Sequence, residues 1–237
     1  RSLQRYLGKA WISCGLLLAL VLLGLTWDRN STYETEQKLW ENTLVYRSGN
    51  WRAHYTLALV YSKQPEHQLR ALDQFFATVQ LQPNHAEAHS NIAGMLMQSK
   101  GMETEALQHV QLALKIDPGN AYAHANYGLI LLRAPVTQAE GIRQLEEAVR
   151  LKPDDAEAQF TLGNALMEFT TRFPEARTHY EAAVRLDPNS PEYRNGYAGA
   201  LMRTGDRAGA IRELQTALKL DPNYPDARTN LNRISGP

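Results

Sequence analysis

Seven histidines are the first residues that could do chemistry, because imidazole both binds metals and carries protons near neutral pH. Their spacing points elsewhere. His54, His89 and His124 stand 35 residues apart, and none of the seven forms, with a third ligand, the spacing of a zinc site. No Gly-x-Ser-x-Gly, phosphate-cradling loop or Cys–His arrangement occurs, and the single cysteine, Cys14, rules out an internal disulfide. The carboxylates are scattered without a pair suited to acid–base work. The expectation is a chain with no catalytic residue, no metal and no cofactor, whose recurrent histidines line the walls of a repeated unit.

The apolar head, residues 10–27, reads AWISCGLLLALVLLGLTW and contains no charge. As a helix rising about 1.5 Å per residue it spans about 27 Å, close to the hydrocarbon thickness of a bilayer. Trp11 and Trp27 bracket it, where indole rings favour the headgroup boundary. A cleavable signal would need a small-x-small site where the chain has GLTWDRN. Arg1, Arg5 and Lys9 precede the span, so residues 1–9 read as a cytoplasmic flank and everything after Trp27 as extracytoplasmic, in a periplasm or lumen. Residues 28–237 carry 22 basic against 25 acidic side chains, which argues against nucleic acid as a partner. Arg1 in place of an initiating Met marks a piece of something longer or a processed product.

The elements that hold the histidines are repeats. Prolines at 83, 118, 153 and 188 are 35 apart and Pro222 follows after 34. Small residues recur at Ala58, Ala93, Gly128, Gly163 and Ala198; again at Ala71, Ala106, Gly141, Ala176 and Ala210; and again at Thr78, Ala113, Ala148, Ala183 and Ala217. A bulky residue sits between the last two series at Phe75, Val110, Leu145, Tyr180 and Leu214. Small residues belong where two helices approach closely, bulky ones fill the gap beside them, and proline ends the second helix. One such hairpin cannot bury its apolar face alone, so the hairpins must stack.

This skeleton resembles the tetratricopeptide-repeat family, whose unit is 34 residues. The resemblance implies an all-α solenoid, a right-handed superhelix of hairpins, with repeats at 51–85, 86–120, 121–155, 156–190 and 191–224. The first four carry one extra residue, placed in the turn between paired helices. Residues 28–50 read as a half-repeat beside the membrane, with Trp40 in the bulky slot and Ser48 in the proline slot, and residues 225–237 as a capping helix and tail.

In that family the first helices line a concave groove that binds protein or peptide. Asn91, Asn126 and Asn230 hold equivalent places on that face, either to grip a partner backbone or to bridge neighbouring repeats. Tyr55, Leu59, Tyr122, Leu129 and Phe160, with Met97, Met167 and Met202, give the groove an apolar, adaptable lining. The lysine-rich carboxylate clamp of some relatives is missing. Arg52, Arg133 and Arg203 mix with Glu87, Glu157 and Glu192, so no ligand charge is implied. The reading is a membrane-anchored scaffold that binds a polypeptide, with a larger membrane complex open as a partner.

A second resemblance lies at the junction. Trp27, Arg29, Asn30, Tyr33, Leu39 and Trp40, followed by Asn50, Arg52 and Ala53, are similar to the segment after the last span of transmembrane-and-tetratricopeptide proteins, which resemble protein O-mannosyltransferases. It implies the alternative: this chain as the C-terminal arm of a polytopic glycosyltransferase, with no sugar-transfer residue of its own.

Overall fold

The computed structural model describes residues 35–236, which are helical hairpins joined by short turns, with no strand among them. The expected span at 10–27, with Trp11, Trp27 and the basic flank, lies outside the described residues. Among the described residues no helix is long and apolar enough to cross a membrane.

The chain divides into two compact units, the boundary falling after Asn84. The first holds α1 (Glu36–Tyr46), α2 (Trp51–Ser62) and α3 (Gln68–Leu81). The second holds four hairpins and one closing helix: α4 (Ala86–Leu96) with α5 (Glu103–Ile116), α6 (Ala121–Leu132) with α7 (Gln138–Leu151), α8 (Ala156–Leu166) with α9 (Phe173–Leu186), α10 (Pro191–Arg203) with α11 (Arg207–Leu220), and α12 (Pro225–Ser235). Each second helix of the larger unit also packs on the next first helix, and α4 packs on α6.

Local chemistry explains the boundaries. Asn50, Asn120, Asp155 and Ser190 cap α2, α6, α8 and α10 by accepting the backbone N–H three residues on, and the His85 ring does the same for α4. Every second helix ends two residues before its proline, because proline's ring excludes the helical conformation from the residue before it. After α5, α9 and α11 the aspartates Asp117, Asp187 and Asp221 accept the N–H two residues on, which tightens the turn into the next hairpin.

All twenty positions of the four sequence series are buried. The backbones of α6 and α7 approach closely. A Cβ on Gly128 would stand 2.8 Å from the Gly141 carbonyl oxygen, and one on Gly141 would stand 2.9 Å from that of Gly128. The two backbones touch there, so the hairpin has room for no side chain. The turns inside the first four hairpins run five or six residues, three of them through a short 3-10 segment, whereas that between α10 and α11 is Thr204–Asp206 with Gly205 at φ +87°. From the start of each second helix to the start of the next first helix the spacing is a constant 18 residues.

Candidate functional site

The recurrent histidines belong to a latch that repeats along the chain. His54 and His124, each fourth in its first helix, turn Nε2 to the carbonyl of the residue six before, Ser48 at 2.9 Å and Pro118 at 3.0 Å. A carbonyl only accepts, so Nε2 donates. Their Nδ1 atoms meet the second helix at Gln74, 2.7 Å, and Gln144, 2.6 Å. The same slot holds Gln159, which donates to the Pro153 carbonyl and meets His179 at 2.8 Å. It then holds Arg194, which donates to the Pro188 carbonyl and to Glu213 at 2.7 Å. In the remaining hairpin His89 and His109 face each other Nδ1 to Nδ1 at 2.8 Å, so one ring donates and the other accepts. Burial, and then the charge of His89, depress the pKa of His109, and burial depresses that of His179. Among the described residues no three potential metal ligands gather at one point.

The expected groove residues divide by what they touch. Tyr55 and Leu59 lie on α2 of the smaller unit, the Tyr55 ring edge-on to Phe75 at 5.9 Å. In the larger unit Asn126 reaches across to the previous first helix, donating to the Ser90 carbonyl at 3.0 Å beside Gly94. Asn230 reaches back in the same way, donating to Asn195 at 2.8 Å. Asn91 is tied only to its own helix, through the Glu87 carbonyl. Arg133 binds the Met97 carbonyl at 2.8 Å and Glu103 at 3.1 Å. Phe160 packs against Tyr180 and Tyr193, centroids 5.5 and 4.8 Å away. Arg133 and Phe160 thus join neighbouring hairpins.

Two hollows open on the first-helix face of the larger unit. The smaller, about 70 Å³, is lined by Tyr122, Asn126, Leu129, Lys152 and Asp155. Tyr122 is 58% exposed, and the Lys152 ammonium sits over its ring at 4.7 Å. The Lys152 pKa is raised by the Tyr122 hydroxyl first and Asp155 next, contacts of 2.9 Å each, which keeps the ammonium charged. Burial pushes the Asp155 carboxyl up, but Lys152 and the Ala158 N–H outweigh it and hold the group below its ordinary value.

The larger hollow, about 680 Å³, lies among α8, α10, α11 and α12; Met167 and Met202 are among its apolar lining residues, and Arg203, Arg207, Asn230 and Arg233 are its polar ones. Sequence reasoning found the methionines and Asn230 by their register on the first helices. It missed Arg207, which starts a second helix, and Arg233, which lies on the closing helix. It also set Arg203 among balancing glutamates. No sequence spacing unites these three; only the folded turn of α10 into α11 and the return of α12 bring them to one place.

The likeness to known proteins agrees with this geometry. Residues 170–234 match the Tetratricopeptide repeat family. No curated protein matches the chain by sequence. Among solved structures, YrrB, a tetratricopeptide-repeat protein with an unusual peptide-binding site, is 21% identical over 81% of this chain and 96% of its own, TM-score 0.54. TTC0263, a thermophilic tetratricopeptide-repeat protein of Thermus thermophilus, is 17% identical over 78% and 98%, TM-score 0.62. The hetero-tetramer of Cut9 and Hcn1 of the APC/C gives TM-score 0.76 at 15% identity, over 86% of this chain and 40% of that one. The hairpins described above have the fold of tetratricopeptide-repeat solenoids, and the stretch from Thr170 to Ile234 carries that family's sequence signature as well.

Proposed function

We propose that this chain is a binding scaffold that holds an extended segment of another polypeptide along the first-helix face of its larger unit, and that it has no catalytic role of its own. The carrying observation is the pair of hollows, where Tyr122, Leu129, Met167 and Met202 offer apolar surface beside polar groups that fix orientation. The peptide-binding site named for YrrB, on a shared fold, supports the reading. A fluorescent degenerate nonapeptide pool titrated against the full chain tests it. Leu129→Gln and Met202→Gln each remove apolar contact and should weaken binding about fivefold to tenfold. Val136→Gln, on a turn where the side chain is 93% exposed, should change nothing. A pool that does not bind, or variants that bind as the parent does, would sink the proposal.

The anchoring half of the reading rests on residues 10–27 and their basic flank, and places the hairpins on the extracytoplasmic side. The junction sequence from Trp27 to Ala53 favours a second form of it, the same scaffold as the arm of a membrane glycosyltransferase. Cysteine introduced at Lys100, in an exposed turn and with Cys14→Ser, should react with a membrane-impermeant maleimide in intact cells. Labelling that needs prior lysis reverses the orientation.

A further inference from the structure

The charge that borders the larger hollow is of one sign among the described residues. Arg203, Arg207 and Arg233 border the hollow, and among the described residues no carboxylate does. Six other arginines of the same unit, Arg133, Arg143, Arg150, Arg172, Arg177 and Arg194, meet an Asp or Glu within 4 Å. Arg185, Arg212 and Arg228 do not, but none of them borders the hollow. The Arg203 guanidinium lies 5.4 Å from the Phe173 ring. Arg207 donates to the Ile234 carbonyl at the end of α12, and Arg233 donates to Asn230 at 3.2 Å. Each guanidinium carries five N–H donors, so these contacts hold the three groups in place and leave most of their donors for something else.

Three like charges around one hollow repel each other, and a ligand that brings negative charge relieves that repulsion. Planar guanidiniums suit carboxylates because the fork matches two oxygens at once, and carboxylates are the anions that an unmodified polypeptide carries. In the same hollow, Met167 and Met202 present deformable apolar surface suited to an aliphatic side chain. A space of about 680 Å³ falls within the range of ligand sites and accommodates a few side chains of an extended segment.

We infer that this hollow is a binding site for an acidic segment of a partner protein, in which two or more carboxylates flank an aliphatic side chain that seats against Met167 and Met202. The inference rests on the scaffold reading above and gives its ligand a charge that the mixed charges of the first helices do not suggest. The smaller hollow, where Lys152 is already matched by Asp155, carries no such preference.

Three labelled nonapeptide pools decide the matter, built with Glu, Gln or Lys at the same alternate positions and mixed aliphatic residues between. Titrated by anisotropy against the full chain at about 50 mM salt, the Glu pool should bind about tenfold tighter than the Gln pool, and raising salt to about 300 mM should remove much of that advantage. Arg203→Gln combined with Arg233→Gln should abolish the preference with an unchanged melting temperature, since both side chains are exposed. Arg185→Gln, exposed on α9, should leave it intact. Equal binding of the Glu and Gln pools, or a preference that survives the double variant, overturns the inference. If all pools bind alike and Met202→Gln still weakens them, the scaffold reading stands without it; if no pool binds, both fall.

Discussion

At the scale of the residue, one hairpin differs from its neighbours in a way that titrates. The slot opposite the recurrent histidine holds Gln74 and Gln144 in two hairpins but His109 between them. His109 has its pKa depressed by burial and by His89, with Glu105 opposing. A histidine depressed in the folded state stays neutral while the unfolded chain takes up a proton, so stability is complete above the ordinary value near 6.5 and declines as pH falls through it towards the folded pKa. His109→Gln rebuilds the His–Gln pair of the flanking hairpins and removes that proton linkage. Urea midpoints taken at about pH 7.5 and about pH 5 should show a smaller acid loss for the variant than for the parent. Equal losses would mean that the pair is not the titrating element. The asparagines make the complementary point. Asn126 and Asn230 hold the equivalent place on α6 and α12, and each donates from its amide to the neighbouring first helix, a contact of the bridging kind. Asn91 donates instead to its own helix.

At the scale of the element, the contact of Gly128 with Gly141 is the tightest statement of why these helices pair. Gly128→Ala adds one methyl against a backbone oxygen, which cannot swing aside as a side chain can. Overpacking of this kind costs about 1–3 kcal/mol, while alanine's better helix propensity returns at most about 1 kcal/mol, so the net effect is destabilising. Hydrogen exchange should show the loss in α6 and α7 and little of it in α10 to α12, because stability in stacked hairpins is set by neighbours. A uniform change, or none, would contradict the packing. Gly163 is a milder case, its added Cβ meeting the Tyr180 ring at 3.2 Å rather than a backbone atom.

Across the whole molecule, what could be read from sequence was whatever the backbone imposes at a constant interval. Small residues at helix crossings and prolines beyond helix ends recur with the period of the hairpin, and the small residues are buried and the prolines lie two residues past the helix ends. The latch escaped because its slot changes type, from His to Gln to Arg, while keeping its geometry. The arginine-lined hollow escaped because its members come from different positions of different helices.

The constant 18-residue step across each proline turn, against the variable turn inside each hairpin, separates the two edges of the solenoid by what they tolerate. An insertion inside a hairpin lengthens a loop and leaves the 18-residue step across the proline turns intact, as the spacing of α10 to α11, one residue shorter than in the earlier pairs, already shows. A residue added at a proline edge would instead break the spacing of carbonyl, cap and latch, and put every later hairpin out of phase. One edge is open to grafted epitopes, reporters or lineage-specific extensions. The other behaves as a reading frame.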